Sequence, residues 1–349
     1  MPETSKRPTI RDVAREAGVS VTTVSHAMNN KGRLDIRTRE RVIEVANQLG
    51  YVPNRAAQRL VSGKSLTIGL LMPPSTSDQV FSTDLHAPAI TAAAHAAVEA
   101  GYALTIMPQL PTDGTLGPHV VDGVLVLEPQ PDDPRVAGLR RLNLPFVAVG
   151  DRVPDAHSVH AHEVDGARQL LDHLRSLGAR SLGVLAPERP TASVQESLQA
   201  LQDQWTLPGE EIVVERVPLA AVEAGDVSAS ADHLLAAADV HALLGLHPTF
   251  GAALVQAVVE SGRSVPGDVL VAQYVDGISA AVSSPALTAL DVRPAQQAAL
   301  GLTMLLEMLA GKDTPKERII RPRLTVRTST VARRRGDRML ARRESVQGG

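Results

Sequence analysis

The sequence predicts two kinds of fold in one chain: a small all-α domain at the N-terminus, followed by a larger α/β part with doubly wound parallel sheets. From Thr9 to Leu60 the apolar residues recur at helical spacing. From Leu66 onward, short apolar runs typical of buried strands alternate with helical segments. About ten such strand–helix units in roughly 260 residues favour two sheets in two subdomains over a single sheet.

The first two predicted helices are joined by a tight turn. Thr9 is a suitable N-cap, and Asp12, three residues later, can complete a capping box. Gly18 suits the left-handed conformation that ends many helices. One face is predicted to be apolar, formed by Ile10, Val13, Ala14 and Ala17.

Ser20 is predicted to cap the second helix, whose inward stripe is formed by Val21, Val24, Ala27 and Met28. The outward positions are Thr22, Thr23, Ser25, His26 and Asn29. Helix, glycine turn and polar-faced helix together indicate a helix-turn-helix. An ordinary helical hairpin is the alternative, but its solvated face would be rich in Lys and Glu. This face instead carries short donors and acceptors that can reach base edges.

A third helix is predicted from a cap at Asp35 to about Leu49, with Val42, Ile43, Val45, Ala46 and Leu49 facing inward. Pro53 restricts the residue before it and ends this region. Asn54 can then cap a seven-residue helix, 55–61, which is marginal without further contacts. A plain linker is the alternative for this segment.

In the α/β part, strands are predicted at 66–72, 102–107, 122–127, 144–149, 181–185, 211–217, 242–246 and 269–274. Helices are predicted at 88–100, 135–142, 166–177, 192–205, 228–238, 251–261 and 295–309. Open α/β sheets bind ligands at the carboxyl ends of their strands. Loops 73–84, 150–152, 186–195, 247–250 and 275–279 are therefore expected to line a cleft.

The motifs Thr9-Ile-Arg-Asp-Val-Ala, Ala17-Gly-Val-Ser, Thr23-Val-Ser, Thr38-Arg-Glu-Arg-Val and Leu49-Gly-Tyr-Val-Pro-Asn-Arg-Ala-Ala resemble the headpiece of the LacI/GalR family of transcriptional regulators. The resemblance implies an N-terminal all-α helix-turn-helix headpiece (1–53) and a hinge helix with linker (54–65). It also implies an α/β periplasmic-binding-protein-like core (66–330) of two doubly wound parallel-sheet subdomains. The lobes would cover about 66–160 and 163–290, with a final crossover at 291–330 and a basic, disordered tail at 331–349. The family usually has a helix where this chain has the Pro- and Gly-rich stretch 108–119, so the first lobe is expected to be one helix short.

In this family, paired hinge helices of a dimer lie in the minor groove and a leucine wedges into the central base step, a position that Leu60 matches. Thr22, Thr23 and His26 are expected to contact bases, and Arg33, Asn54, Arg55 and Lys64 phosphates. The full set of DNA-binding candidates is Thr9, Ser20, Thr22, Thr23, Ser25, His26, Asn29, Arg33, Tyr51, Asn54, Arg55, Ala57, Leu60 and Lys64.

The expected cleft departs from the family's sugar binders, which carry an Arg near Gln195, an Asn-Asp pair near His247 and an Asp near Val275. These departures argue against a pocket that grips several sugar hydroxyls, and leave open a larger, less polar effector or none. The effector-binding candidates are Phe81, Asp151, Arg152, Gln195, His247 and Asp276. Phe81 and Trp205 could stack on a ring, although core positions are favoured for both.

Charge is distributed unevenly along the chain. The net charge is −3, yet residues 1–64 hold 12 Lys/Arg against 6 Asp/Glu, and residues 331–349 hold 6 against 2. Basic ends on an acidic body suit a protein that meets a polyanion with its ends. The tail could alternatively be a solvated segment without a DNA contact.

Composition excludes several classes of site. There are 0 cysteines, which excludes a disulfide framework, a catalytic thiolate and a Cys-based zinc site. No apolar run approaches membrane-spanning length and no hydrophobic leader is present, so a cytoplasmic protein is expected. His157, His160 and His162 could chelate a metal, but a polar connection with solvent-facing histidines is favoured. No metal or cofactor is expected.

The sequence therefore predicts a homodimeric, sequence-specific transcriptional regulator, a repressor of a near-palindromic operator with a cleft for a small-molecule effector. One alternative is a developmental or global regulator of the same family without an effector. Another is a solute-binding protein or sugar-metabolising enzyme, neither of which needs the segment Thr9–Leu60.

Overall fold

The computed structural model describes residues 8–28, 34–51, 64–73, 84–107, 121–218, 221, 226–236 and 239–331. The chain divides between Ser65 and Leu66 into two compact units, the headpiece and the core. The helices are α1 Ile10–Ala17, α2 Val21–Met28, α3 Ile36–Gln48, α4 His86–Glu99, α5 Pro134–Arg141, α6 Glu163–Ser176, α7 Ala192–Gln204, α8 Ser228–Ala236, α9 Phe250–Glu260, α10 Ile278–Val282 and α11 Pro294–Leu309. The strands are β1 Thr67–Leu71, β2 Ala103–Met107, β3 Gly123–Leu127, β4 Phe146–Val149, β5 His157–Ala161, β6 Ser181–Pro187, β7 Glu211–Val217, β8 Ala242–Gly245, β9 Leu270–Gln273, β10 Thr288–Asp291, β11 Glu317–Ile320 and β12 Arg323–Thr325.

The headpiece is a bundle of three helices, as predicted. Asp12 and Thr9 close the capping box, Gly18 has φ 62° at the end of α1, and Asp35 accepts a hydrogen bond from the Thr38 amide at 3.3 Å. Its core consists of Val13, Ala14, Ala17, Val24, Ala27, Val42 and Ala46. Two predicted core positions are wrong: Val21 is 42% exposed and Ile43 40% exposed. Both occupy the rim of a bundle too small to cover the full apolar stripe of each helix.

The core contains two sheets. In the first lobe, six described strands form a parallel sheet in the order β11-β5-β4-β3-β1-β2. In the second, the order is β12-β10-β9-β8-β6-β7, parallel except for the antiparallel β10–β12 pair. Helices α4, α5 and α11 pack on the first sheet, and α6 to α9 on the second. Parallel strands need helical crossovers that cover both faces, which explains the continuous apolar strand sequences.

Three short crossovers join the lobes. They lie at His162, between β5 and α6; at 292–293, between β10 and α11; and at 321–322, between β11 and β12. The helix α11 returns to the first lobe, where Leu302 and Leu305 are buried with Ile68 and Leu125. The carboxyl ends of β1, β3, β4 and β5 therefore share one edge of the first sheet, as those of β6, β8 and β9 do in the second.

Most predicted elements agree with the structure to within two or three residues, but one interpretation is wrong. The segment around His157 and His160 is not a solvent-facing connection, because residues 157–161 form β5, where His160 is only 4% exposed and His157 is half-buried. His162, which follows the strand, is exposed as expected. The strand pairs with β4 and with β11, and β11 lies some 155 residues later in the chain. The strands β10, β11 and β12 and the short helix α10 were also not predicted.

Three predictions concern parts of the chain outside the described residues. These are the presence of a hinge helix at 55–61, the absence of a helix at 108–119, and the disorder of the tail at 331–349, of which only Val331 is described.

Candidate DNA-reading face and ligand cleft

The second helix of the headpiece, α2, is fixed by its cap and presents polar side chains. The Ser20 hydroxyl accepts from the Thr23 amide at 3.0 Å and lies 2.8 Å from the Thr23 hydroxyl. Thr22 and His26 are exposed, while Thr23 and Ser25 are half-buried. The Thr23 hydroxyl is thus partly occupied by the cap, and Thr22 and His26 are the described groups best placed to meet base edges.

Other predicted DNA contacts have structural roles in the headpiece. The Thr9 amide and hydroxyl both donate to the Asp12 carboxylate, at 2.9 and 2.7 Å. Tyr51 packs against the headpiece core, and burial raises the pKa of its phenol. Lys64 is exposed. The remaining candidates lie outside the described residues: Asn29, Arg33, Asn54, Arg55, Ala57 and Leu60.

In the core, a buried arginine fixes the carboxyl ends of β1 and β3. Arg135, which is 5% exposed, donates to the carbonyls of Leu127 at 3.2 Å, Glu128 at 3.3 Å and Met72. It forms an ion pair with Asp133 at 2.6 Å. Burial opposes ionisation of Asp133, but the Arg135 guanidinium outweighs it and the pKa of Asp133 is lowered. This pair, missed by sequence reasoning, holds the first-lobe wall of the cleft.

Asp151, a predicted effector contact, lies at the carboxyl end of β4 and reaches the second lobe. Its carboxylate accepts from the Ser193 amide at 2.5 Å and from the Ser193 hydroxyl at 2.7 Å. The same hydroxyl lies 2.7 Å from the Gly150 carbonyl. Burial raises the pKa of Asp151 to about 7; the charge of Glu128 adds to the shift, whereas the bonds from Ser193 oppose it.

Three further groups at this edge, Glu128, His86 and Asp84, were not among the predicted effector contacts, although Asp84 ends the predicted cleft loop 73–84. Glu128 follows β3 and lies 3.2 Å from the Nε2 atom of His86. Asp84, just before α4, contacts Ser279 of the second lobe through both carboxylate oxygens. The rule that ligands meet the carboxyl ends of parallel strands could have flagged Glu128, because it directly follows a buried strand. Asp84 and Ser279 carry no local pattern that pairs them.

The other effector candidates are engaged in different ways. Arg152 forms an ion pair with Glu196 of α7. Asp276 forms an ion pair with Arg327 at 2.8 Å and accepts a hydrogen bond from the Gly277 amide at 2.8 Å. Both partners of its carboxylate therefore belong to the second lobe. Gln195 is exposed on α7, and Phe81 lies outside the described residues.

Two aromatic side chains, His247 and Trp205, pack against other groups of the second lobe. His247 lies 5.1 Å from the Phe250 ring, and burial lowers its pKa to about 4, so this imidazole is neutral near pH 7. Trp205 is 2% exposed in the second-lobe core, where its indole donates to the Glu211 carbonyl at 3.0 Å. The core position favoured for Trp205 is confirmed.

A second buried carboxyl lies at the crossover after β5. The Glu163 carboxylate accepts from the Tyr274 hydroxyl at 2.7 Å and the Ser197 hydroxyl at 2.9 Å. Burial raises the pKa of Glu163 to about 7, and the two hydrogen bonds only partly offset this. Glu163 and Asp151 therefore both titrate near neutrality at the junction of the lobes.

Within the described ranges, no group of three or more His, Asp or Glu side chains is arranged to hold a metal ion. None of the described helices is long and apolar enough to cross a membrane.

Two family models match the chain. Residues 9–54 match the bacterial regulatory proteins of the lacI family, and residues 171–330 match the periplasmic binding protein-like domain. The chain belongs to the LacI family. The same capped α1–turn–α2 unit described above lies within the first match.

Full-length relatives agree with this assignment. The LacI-family chain is 28% identical over 340 residues to the HTH-type transcriptional regulator CelR of Thermobifida fusca, covering 94% of this chain and 99% of that protein. It is 29% identical over 348 residues to the lactose operon repressor of Escherichia coli (strain K12), covering 94% and 92%. It is accordingly a helix-turn-helix transcriptional regulator.

Solved structures give the same result. A lac repressor dimer bound to operator and the anti-inducer ONPF superposes with a TM-score of 0.75 at 25% identity, covering 94% of this chain and 100% of that one. A CelR–cellobiose complex gives a TM-score of 0.69 at 26% identity, covering 93% and 100%. These relatives are named as regulators rather than enzymes. The LacI-type fold of a helical headpiece and two parallel-sheet lobes is thus confirmed.

Proposed function

We propose that this regulator is a repressor that binds a near-palindromic operator as a homodimer. The observation that carries the proposal is the exposed pair Thr22 and His26 on α2, a helix anchored by the Ser20 cap. Each half-site is read by one α2 in the major groove, where His26 donates to a guanine and Thr22 contacts a neighbouring base. In this proposal residues 1–53 read DNA, 54–65 act as hinge, and 66–330 form the effector and dimer core.

Selection of bound sequences from a random DNA library tests this directly. The full chain should enrich an inverted repeat, and His26→Ala should lose preference at one position in each half. Glu44→Ala, an exposed change on α3, is the matched control and should enrich the same motif as the unaltered chain. Enrichment of no motif, or of an unpaired half-site, contradicts the proposal.

Dimerisation is supported by an apolar face in the second lobe. Ile278 and Val282 lie one turn apart on α10 and are 68% and 75% exposed. Exposed apolar side chains grouped on one surface are typical of protein interfaces. Ile278→Glu should convert a dimer into a monomer in light scattering, whereas the exposed Val98→Glu on α4 of the first lobe should leave the mass unchanged. If the unaltered chain itself is a monomer in light scattering, the proposed dimer is wrong.

The cleft between the lobes is proposed to receive a small, mostly uncharged effector. Arg152, Arg135 and Arg327, three described cations of the two lobes, are each paired with a carboxylate, so an anionic ligand that used any of them would have to break an existing ion pair. Thermal-shift measurement with disaccharides, nucleosides and their phosphorylated forms, followed by gel shifts with the selected operator, tests this. Stabilisation by phosphorylated compounds alone contradicts it, and no stabilisation by any compound favours a regulator without an effector.

A further inference from the structure

Two aspartates of the first lobe make the same contact with the second lobe. Each accepts hydrogen bonds from both the backbone amide and the hydroxyl of a serine, and each serine is the second residue of a second-lobe helix. The amides of a first helical turn have no partner within their own helix. Each aspartate thus caps a helix that belongs to the opposite lobe.

The first contact joins Asp84 to α10. One Asp84 oxygen accepts from the Ser279 amide at 3.2 Å, and the other accepts from the Ser279 hydroxyl. Asp84 is only 5% exposed. A Cβ atom at Gly277 would lie 2.2 Å from the Asp84 Cγ atom, so only glycine leaves room for this carboxylate. The backbone of Gly277 is extended, with φ 169°, and the constraint is therefore steric rather than conformational.

The second contact joins Asp151 to α7. Asp151 is 2% exposed and accepts from the amide and hydroxyl of Ser193. The hydroxyl of Thr191, the N-cap of α7, accepts a hydrogen bond from the Val194 amide at 3.4 Å. The Ser193 amide is left to Asp151, so the first turn of α7 is completed only when the lobes meet.

The two contacts lie on opposite sides of the cleft. Helix α7 follows β6 and α10 follows β9, while β8 runs between these strands in the sheet. The contacts therefore flank the carboxyl end of β8, where His247 lies. The ion pair between Arg152 and Glu196 adds to the Asp151 contact on the α7 side. Contacts on one side alone would allow the lobes to rotate about them, whereas contacts on both sides fix their separation.

We propose that Asp84 and Asp151 act together as a two-point clasp that holds the lobes of the core closed. Loss of either contact weakens the other, because the lobes separate as rigid bodies. Under the proposed function, an effector between the two contacts changes operator affinity by changing how often this clasp is closed. The clasp itself requires neither DNA nor effector.

Residue-level hydrogen exchange on the full chain tests the proposal. In Asp84→Ala, the amide of Ser279 should exchange faster and so should the amide of Ser193, each by roughly tenfold, as expected for loss of a charge-assisted contact. Asp151→Ala should produce the reciprocal result. Faster exchange confined to the helix that lost its own aspartate would mean simple local capping and would overturn the clasp.

The chain contains a matched control. Asp226 accepts from the amide and hydroxyl of Ser228, at 3.0 and 2.6 Å, but within a single lobe at the start of α8. Asp226→Ala should accelerate exchange in α8 alone. Unchanged protection of the amides of Leu125 and Leu243, in the two sheets, separates opening of the clasp from global unfolding.

Gly277 supplies an independent variant. Gly277→Ala leaves all hydrogen-bonding groups in place but displaces the Asp84 carboxylate, so it should reproduce Asp84→Ala at both Ser279 and Ser193. The double variant, Asp84→Ala with Gly277→Ala, should show no faster exchange at Ser279 and Ser193 than Asp84→Ala alone, because the two changes remove the same contact. Additive effects would contradict the steric argument. Since no DNA or effector is used, failure here leaves the proposed repressor function untouched, and the reverse also holds.

Discussion

The headpiece and the ligand cleft are built from contacts of very different range. The capping box of α1 joins residues three apart, whereas the clasp joins Asp84 to Ser279 across 195 residues. The headpiece therefore follows from local sequence, while the cleft exists only once the whole core has folded. Changes in the headpiece should act locally on DNA binding, and changes at the cleft should affect stability and lobe geometry together.

The largest expected effect is at Arg135. Arg135→Ala leaves Asp133 buried without its partner and the carbonyls at the ends of β1 and β3 without a donor. Removal of one partner of a buried ion pair costs about 3–5 kcal/mol. Urea unfolding of the core should show this loss, while Arg141→Ala, an exposed change on the same helix, should have little effect. A core as stable as the unaltered one would mean that Arg135 does not tie these strands together.

The pH dependence of core stability provides the next test. Asp151 and Glu163 have folded-state pKa values of about 7, raised from 3.8 and 4.5. A raised carboxyl pKa contributes stability that is complete below the unfolded-state pKa and is lost as the pH rises to the folded-state pKa. Stability from these groups should therefore fall between about pH 4 and pH 7, by at most about 1.4 kcal/mol per pH unit for each group.

Asp151→Asn should reduce this slope, since asparagine can still accept from Ser193 but does not ionise. Unfolding midpoints at pH 5, 6 and 7 measure the difference between the two proteins. The charged or polar groups that face Asp151 are Glu128, Thr191 and Ser193. Identical slopes in both proteins would mean that Asp151 is not buried as described. The headpiece should show no comparable trend in this range.

In the headpiece, the next test concerns the exposed side chain of His26. His26→Ala should weaken operator binding by about 1–3 kcal/mol and relax specificity at one position per half-site. The exposure of His26 implies no loss of folding stability, so thermal unfolding should remain unchanged. If the altered and unaltered chains bound every base variant at every position with equal affinity, His26 would have no role in reading bases.

The smallest expected effect is at the capping box. Asp12→Ala removes the acceptor of the Thr9 amide and hydroxyl, and loss of such a cap costs about 1 kcal/mol. Headpiece unfolding, followed in the full chain by hydrogen exchange of the amides of α1 to α3, should shift to lower temperature, while exchange of the core amides stays unchanged. Glu16→Ala, exposed on the same helix, serves as control. A coupled shift of both transitions would contradict the separation of short-range and long-range regions.

The sequence predicted what depends on neighbouring residues. Thr9, Asp12, Gly18, Ser20 and Asp35 all take their expected positions at helix ends, because caps and left-handed turns are decided within three or four residues. The order of eight strands and of the longer helices was also predictable, since each of those strands carries an apolar run that can be recognised alone. The remaining strands, β5, β10, β11 and β12, were not recognised.

The failures share a physical cause. His160 looked solvated because its strand is polar, and it becomes buried only when β11 pairs beside it. Asp84 binds a serine 195 residues later and Arg135 binds the Met72 carbonyl 63 residues earlier, so no spacing reveals these contacts. The Asp133 partner of Arg135 is local, only two residues away. Asp276 occupied the expected place after β9, yet Arg327, 51 residues later, takes its carboxylate away from the cleft.

The path of the C-terminal segment also constrains how the protein can be made. Helix α11 and strand β11 complete the first lobe, although the rest of that lobe ends at Ala161. A ribosome that has released the first 290 residues has therefore supplied neither the last helix of that lobe nor its edge strand. The headpiece can fold early during synthesis, but both lobes must wait for nearly the whole chain. A premature stop after β10 would leave two incomplete sheets rather than one finished lobe and one missing lobe.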